Sequence, residues 1–203
     1  MIYFTADTHF FHRELLGDNP FAPRMFKTVN QMNQAIIDHW NLRVQPNDQV
    51  YLLGDVALVP SRPAAFQQVH EVLTALNGHL TIIKGNHDNR AFLKYLAKHN
   101  QPLADQQMHY QFEDVGALIK VNHRQYFLTH YPLLFGQVRQ TINLHGHIHH
   151  QMLPIAENIN VGLDAPERAL LANQPAFGQP LSVTEIETIF ERKQAALARA
   201  NQR

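Results

Sequence analysis

The chain has 203 residues, no cysteine, and 17 Lys and Arg balanced by 17 Asp and Glu. That composition excludes disulfides, thiolate metal sites and a Cys nucleophile, and zero net charge supplies no long-range field to draw in nucleic acid or an anionic membrane. With 45% hydrophobic residues and no apolar run near the ~18 of a membrane span, one large domain over 1–203 is expected.

Ile2 to Ala6 is β-branched and aromatic and reads as a buried first strand, ending in Asp7-Thr8-His9-Phe10-Phe11-His12. Gly17 to Pro23 holds Gly, Pro and an Asp-Asn pair and reads as a loop. Thr28 caps a helix that carries Val29, Met32, Ile36, Ile37 and Trp40 on one side. Pro46-Asn47-Asp48 is a turn into a second buried strand, Gln49 to Leu53, which Gly54-Asp55 terminates. Pro63 opens a second helix with Ala65, Val69, Val72, Leu73 and Leu76 inward, stopped by Asn77-Gly78. Leu80 to Ile83 is a third strand, and Arg90 to His99 a short helix. This alternation predicts parallel pairing with right-handed crossovers.

The second half changes character. Ala117–Val121 and Gln125–Thr129 form a predicted hairpin around Asn122-His123-Arg124. The second arm runs into His130-Tyr131-Pro132, and Thr141–Leu144 runs into His145-Gly146-His147-Ile148-His149-His150. Ile159 to Gly162 is a further short strand; Ser182 or Thr184 caps a final helix, whose tail from about Ala195 is expected to fray.

Polar clusters at strand ends carry the functional signal. Gly85-Asn86-His87-Asp88 follows an apolar strand directly, and packing explains such a segment poorly, because unpartnered buried polar groups cost roughly 1–3 kcal/mol each. The carboxyl ends of strands in open α/β sheets are a usual place for ligands. The chain has 14 His. His39, His70, His79, His99, His109 and His123 fall in helix-like or turn-like stretches and read as surface residues. The others stand beside carboxylates. Residues at i and i+2 of an extended chain point the same way, so Asp7 would converge with His9, and His147 with His149. His145 and His150 would then face away. Imidazole, carboxylate and amide oxygen together suit Mn, Fe, Zn, Co or Ni, not Mg or Ca. Seven such ligands exceed one ion's need, and a pair about 3.5–4 Å apart sharing a carboxylate would suit phosphoryl displacement.

Asp7-Thr8-His9, Gly54-Asp55, Gly85-Asn86-His87-Asp88, His130 and Gly146-His147-Ile148-His149 stand in the order of the calcineurin-like metallophosphoesterase pattern. The chain resembles that family, in particular a small bacterial and phage branch of predicted phosphoesterases. The resemblance implies an α/β fold of two mixed β-sheets in a sandwich flanked by helices, in four layers. It implies that Asp7, His9, Asp55 and His149 hold one divalent transition-metal ion, with Asp55, Asn86, His130 and His147 holding a second. Manganese is the first expectation, with Fe, Zn, Ni or Co as substitutes. A hydroxide bridging the metals would attack the phosphate, with His87 as general acid and Asp88 orienting His87; helix capping ahead of Arg90 is a rival role for Asp88. Asn86, His12 and Asp164 are candidate substrate contacts. Arg13, Lys84 and Arg139 are cations available to a phosphate.

The expected activity is hydrolysis of a phosphodiester or phosphomonoester of a small molecule or nucleotide. A nuclease-type phosphodiesterase is disfavoured by the neutral charge. A non-catalytic metal-binding scaffold on the same fold is disfavoured because no motif position is lost. No signal-peptide pattern opens the chain, so the cytoplasm is the expected location.

Overall fold

The computed structural model describes residues 1–136 and 140–200; Arg139 lies outside them. Its architecture is two mixed sheets. The first has the strand order β4-β3-β2-β1-β9 and the second β5-β6-β7-β8. In the first, β1 (Ile2–Thr5), β2 (Gln49–Leu52), β3 (His79–Ile83) and β4 (Tyr110–Glu113) are parallel, and β9 (Leu181–Ser182) joins β1 antiparallel. In the second, β5 (Gly116–Val121) and β6 (Arg124–Thr129) form the expected hairpin, and β7 (Thr141–His145) and β8 (Asn158–Asn160) continue in parallel. The sequence patterns had not predicted β4 or β9. Each is short, and its pairing comes from a neighbour distant in the chain.

Helices α1 (Val29–Arg43), α2 (Pro63–Thr74) and α3 (Arg90–His99) bury Met32, Ile36, Trp40, Val69, Leu73 and Leu96 against Val50, Leu52, Leu80 and Ile82 of the first sheet. A second core fills the space between the sheets, with Phe4, Ile83, Leu128, Ile142, Leu144 and Ile159 packed together. Helix α4 (Val183–Ala200) adds Ile186 and Ile189 to it. The cap of α4 is Ser182, whose hydroxyl accepts from Glu185 N while the Glu185 carboxylate accepts from Ser182 N, a reciprocal capping box. Buried Lys193 docks α4 by donating to Glu167 (2.9 Å) and Asn158 O (2.5 Å).

Residues 195–200 are helical, not frayed, as their Ala, Leu and Arg content favours. His109 is also not a surface residue: it is buried, with Nε2 3.0 Å from Leu76 O.

The parallel register places the site. Thr5 is level with Leu52, and Leu52 with Ile82, so the segments carrying Asp7, Asp55 and Asn86 leave the first sheet at one edge. The second sheet brings His130 and His147 to the same edge from β6 and β7, and an Ala6–Gly162 bridge links the two sheets there. Among the described residues no helix is long and apolar enough to cross a membrane.

Candidate metal centre

The ligand segments are not extended strand. Asp7, His9, Asp55, His147 and His149 have φ between 45° and 70°. The convergence expected from i and i+2 in a strand is therefore achieved differently, by left-handed residues that turn the chain back on itself. Each such residue costs roughly 1–2 kcal/mol, and strain of this kind persists where surrounding bonds hold it. Here Asp7 N donates to Gly54 O (3.0 Å), His9 N to Asp55 O (3.0 Å), and His147 N to the Asp7 carboxylate (3.0 Å). Gly54 is required by crowding as well as by its φ of +87°. A Cβ there would lie 2.6 Å from His130 Nδ1 and 2.7 Å from Gly85 Cα.

Two donor clusters result. The ligand atoms of Asp7, His9 and His149 lie within 4.8 Å of one another, and so do those of Asp55, His130 and His147. Asn86 Oδ1 completes the second, 2.8 Å from His130 Nε2 and 2.9 Å from His147 Nδ1. Asp55 Oδ2 stands between the clusters, 3.6 Å from His9 Nε2 and 3.5 Å from His130 Nε2.

Two observations show that these residues suit cations. His9 Nε2 is buried without a hydrogen-bond partner among the described residues, although an orphaned polar atom of this kind is costly. His130 Nδ1 is 2.9 Å from Leu53 O, so in the neutral ring it carries the proton and Nε2 presents a lone pair. That lone pair faces Asn86 Oδ1, also an acceptor. Two acceptors at that distance repel unless a proton or a cation lies between them.

The electrostatics agree. Burial pushes the His9 ring well below its usual range, so it is neutral and able to ligate. Burial raises Asp7 to about 6. Burial alone would also raise Asp55, but hydrogen bonding to His130 and the His87 N–H outweigh it and hold the carboxyl low. Burial opposes protonation of His130, yet the Asp55 carboxylate prevails and raises that ring's pKa. Protons and divalent cations thus compete for the same lone pairs.

Around the donors lies a shell of orienting groups. Asp164 Oδ2 is 3.1 Å from His149 Nδ1, which leaves His149 Nε2 free to ligate. Asp164 is itself paired with Arg24 (Nη2–Oδ2 2.7 Å). Both of its oxygens are held by Arg24 and one also by His149. His12 is similar: its Nδ1 lies 3.0 Å from His9 Nδ1 and its Nε2 3.6 Å from Glu14. A chain of polar contacts thus runs from His9 through His12 to Glu14.

Asp88 also differs from expectation. Its carboxylate is fully buried and accepts from Gly85 N (2.8 Å), Asp55 N (2.9 Å) and Val56 N (3.1 Å). Among the described residues it has no hydrogen bond to His87, and the α3 cap is Asn89, which accepts from Phe92 N (2.9 Å). Asp88 ties the second ligand segment to the third, since backbone N–H groups at three positions need one acceptor. Burial raises it to about 6 despite those donors.

His87 stands at the mouth, its side chain 35% exposed, with Nε2 4.0 Å from Asp55 Oδ2 and its N–H on Asp55 Oδ1 (2.9 Å). The cleft above the donors holds about 240 Å³. Phe21, Ile148, Gln151 and His150 form its walls, so His150 faces the cleft contrary to expectation. His145 does face away, buried with Nδ1 2.9 Å from Gly146 O. No described Lys or Arg lines the cleft; Arg13 lies instead with Lys27 beside the start of α1.

Arg24 was missed in the sequence patterns. It is 2% exposed and donates to Asp7 O (2.6 Å), Thr8 O (2.8 Å) and both oxygens of Asp164. A lone Arg between Pro23 and Met25 carries no local signal of such a role.

Comparison with known proteins agrees with the geometry. The model of the calcineurin-like phosphoesterase family matches residues 1–175. An uncharacterized protein of Methanocaldococcus jannaschii is 31% identical over 152 residues, covering 70% of this chain and 80% of its own. The glycerophosphodiester phosphodiesterase GpdQ of Enterobacter lignolyticus is 38% identical over 95 residues, which span 45% of this chain and only 31% of that protein. A protein of unknown function from Aquifex aeolicus shares the fold, with a TM-score of 0.63 at 21% identity over 93% of this chain and 98% of its own. With the family model covering most of its length, this chain belongs to the calcineurin-like phosphoesterases.

Proposed function

We propose that the protein hydrolyses a small phosphate ester with two divalent transition-metal ions, manganese being the best suited. Asp7, His9 and His149 would hold one ion; Asn86, His130 and His147 the other; Asp55 would serve both. The observation that carries this is the placement of Asp55 Oδ2 between His9 Nε2 and His130 Nε2, at 3.6 and 3.5 Å. When bound, such a pair of ions supplies Lewis acidity to the phosphate and to the attacking water.

The chain's own groups do the rest. Arg24, Asp164 and His12 fix the rings of His149 and His9, and Asp88 fixes the Asp55 backbone. His87 is held by its N–H to Asp55 Oδ1 with its ring at the mouth of the cleft. From there Nε2–H can give its proton to the ester oxygen as that oxygen's bond to phosphorus breaks. Imidazole is suited to this near neutral pH. A small substrate is favoured because the cleft holds about 240 Å³ and no described Lys or Arg lines it. Similarity to a glycerophosphodiester phosphodiesterase over 95 residues favours a diester.

The test is elemental analysis of the purified chain after manganese loading, with hydrolysis of bis(4-nitrophenyl) phosphate and 4-nitrophenyl phosphate. Two ions per chain and turnover of either ester are expected. His87→Ala should keep both ions and lose about 10²–10⁴-fold in rate. Silence with Mn, Ni, Co, Fe and Zn, with the ions bound, would overturn the proposal.

A further inference from the structure

We propose that Phe21 is a stacking platform for a planar ring on the substrate, so that the preferred esters carry a nucleobase or an aryl group. This rests on the phosphoesterase reading and narrows its substrate class. Phe21 lines the cleft and is 48% exposed, with its ring centroid 4.3 Å from that of His149. One side of the ring therefore rests on a metal-ligand candidate while much of the rest is open to solvent. A single exposed aromatic is ordinary on a protein surface. This one is held in place by bonds that lead back to the metal ligands, not by packing into the core.

Asn19 Oδ1 accepts from Phe21 N (3.0 Å) and Ala22 N (2.8 Å), and Asn19 Nδ2 donates to Leu15 O (3.1 Å). The base of the loop is closed by Gly17 N to Arg24 O (2.9 Å) and Arg24 N to Leu15 O (2.8 Å). The Arg24 guanidinium is the same one that grips Asp7 O, Thr8 O and Asp164. The ring is thus positioned relative to the phosphate-binding donors by a short, bonded path.

Charge does not compete with it for the organic half of a substrate. No described Lys or Arg lines the cleft, and besides the candidate ligands and His87 its walls are Phe21, Ile148, His150 and Gln151. Contact with a flat apolar face is then the principal source of affinity beyond the phosphate, and Gln151 is placed to meet polar atoms on a ring edge. Stacking a base on an aromatic side chain is worth about tenfold in affinity, and up to about a hundredfold.

The experiment is calorimetric titration of the full, manganese-loaded chain with adenosine monophosphate and with ribose 5-phosphate. The two share phosphate and sugar and differ only in the ring. The wild type should bind the nucleotide about tenfold more tightly or better; Phe21→Ala should bring the two within about twofold, and Phe21→Trp should keep the preference. Thermal unfolding and metal content, unchanged in both variants, would show that the loop and donors are intact. Equal affinity in the wild type, uptake of neither ligand, or a preference that survives Phe21→Ala would overturn the proposal. Because binding is the readout, a ring preference abolished by Phe21→Ala sustains the platform even if no ester is hydrolysed. That combination would count against the hydrolase alone.

Discussion

Replacing Asp88 by Asn separates a structural from a catalytic account of this residue. Its Oδ2 accepts from Gly85 N at 2.8 Å and Asp55 N at 2.9 Å, and its Oδ1 from Val56 N at 3.1 Å. An amide can offer its oxygen to the first two donors, but its NH2 then meets the Val56 N–H head-on. A net hydrogen bond to a charged group is worth about 1.5–3 kcal/mol, and a buried donor left unpaired costs about 1–3 kcal/mol. Burial, which raises Asp88 to about 6, offsets the charge lost from the other two bonds, so the unpaired Val56 N–H sets the destabilisation at about 1–3 kcal/mol. For a chain of this size that lowers Tm by roughly 2–12 °C. The backbone next to Asp55 is released at Val56 at the same time, so manganese affinity falls as well. Scanning calorimetry and metal titration on Asp88→Asn measure both. The pH–rate profile of whatever activity remains should keep its wild-type shape. An unchanged Tm together with a shifted pH–rate profile would refute this account and return Asp88 to His87.

Three further outcomes are expected. Gly85→Ala should abolish tight metal binding, because its Cβ would fall 2.2 Å from Asp55 Oδ1 and 2.3 Å from Asp55 N; Gly17→Ala, with nothing within 4 Å, should lose only about 1–2 kcal/mol of left-handed strain and keep its metals. Equal metal uptake by the two variants would contradict the packing. Manganese affinity should fall as pH drops through about 6, since burial raises Asp7 to about 6 and Asp55 raises His130, so both hold protons where the cation binds. A titration that gives one affinity across that range would count against this donor set. Burial alone would raise Glu185, but its bonds to Arg43 and Ser182 outweigh that and hold its pKa low. A depressed folded pKa stabilises above the unfolded value of about 4.3 and is lost as pH falls through the folded one. Glu185→Gln should therefore flatten the acid limb of the urea midpoint plotted against pH, and an unaltered limb would exclude that coupling.

Much of the site is legible before folding is considered, because its chemistry is concentrated in short runs. Asp7 and His9, Asp55, Asn86 and His87, His130, and His147 and His149 each end a stretch with strand periodicity, and polar residues there demand an explanation other than packing. The same local logic reaches the three β/α units, the hairpin and the caps at Thr28 and Ser182, which depend on neighbours within a few positions.

What tertiary structure decides are relations with no local signature. Arg24 meets Asp164 across 140 positions, and Glu185 meets Arg43 across 142. No periodicity or motif announces such pairs. Strands β4 and β9 exist because a partner strand supplies their hydrogen bonds, not because four or two residues would hold that form alone. The left-handed φ of Asp7, His9, Asp55, His147 and His149 is likewise imposed from outside, by the crossed bonds between segments that a linear pattern reads as extended. Residue types name the donors, while only the folded chain can set which lone pairs meet and which carboxylates are already engaged.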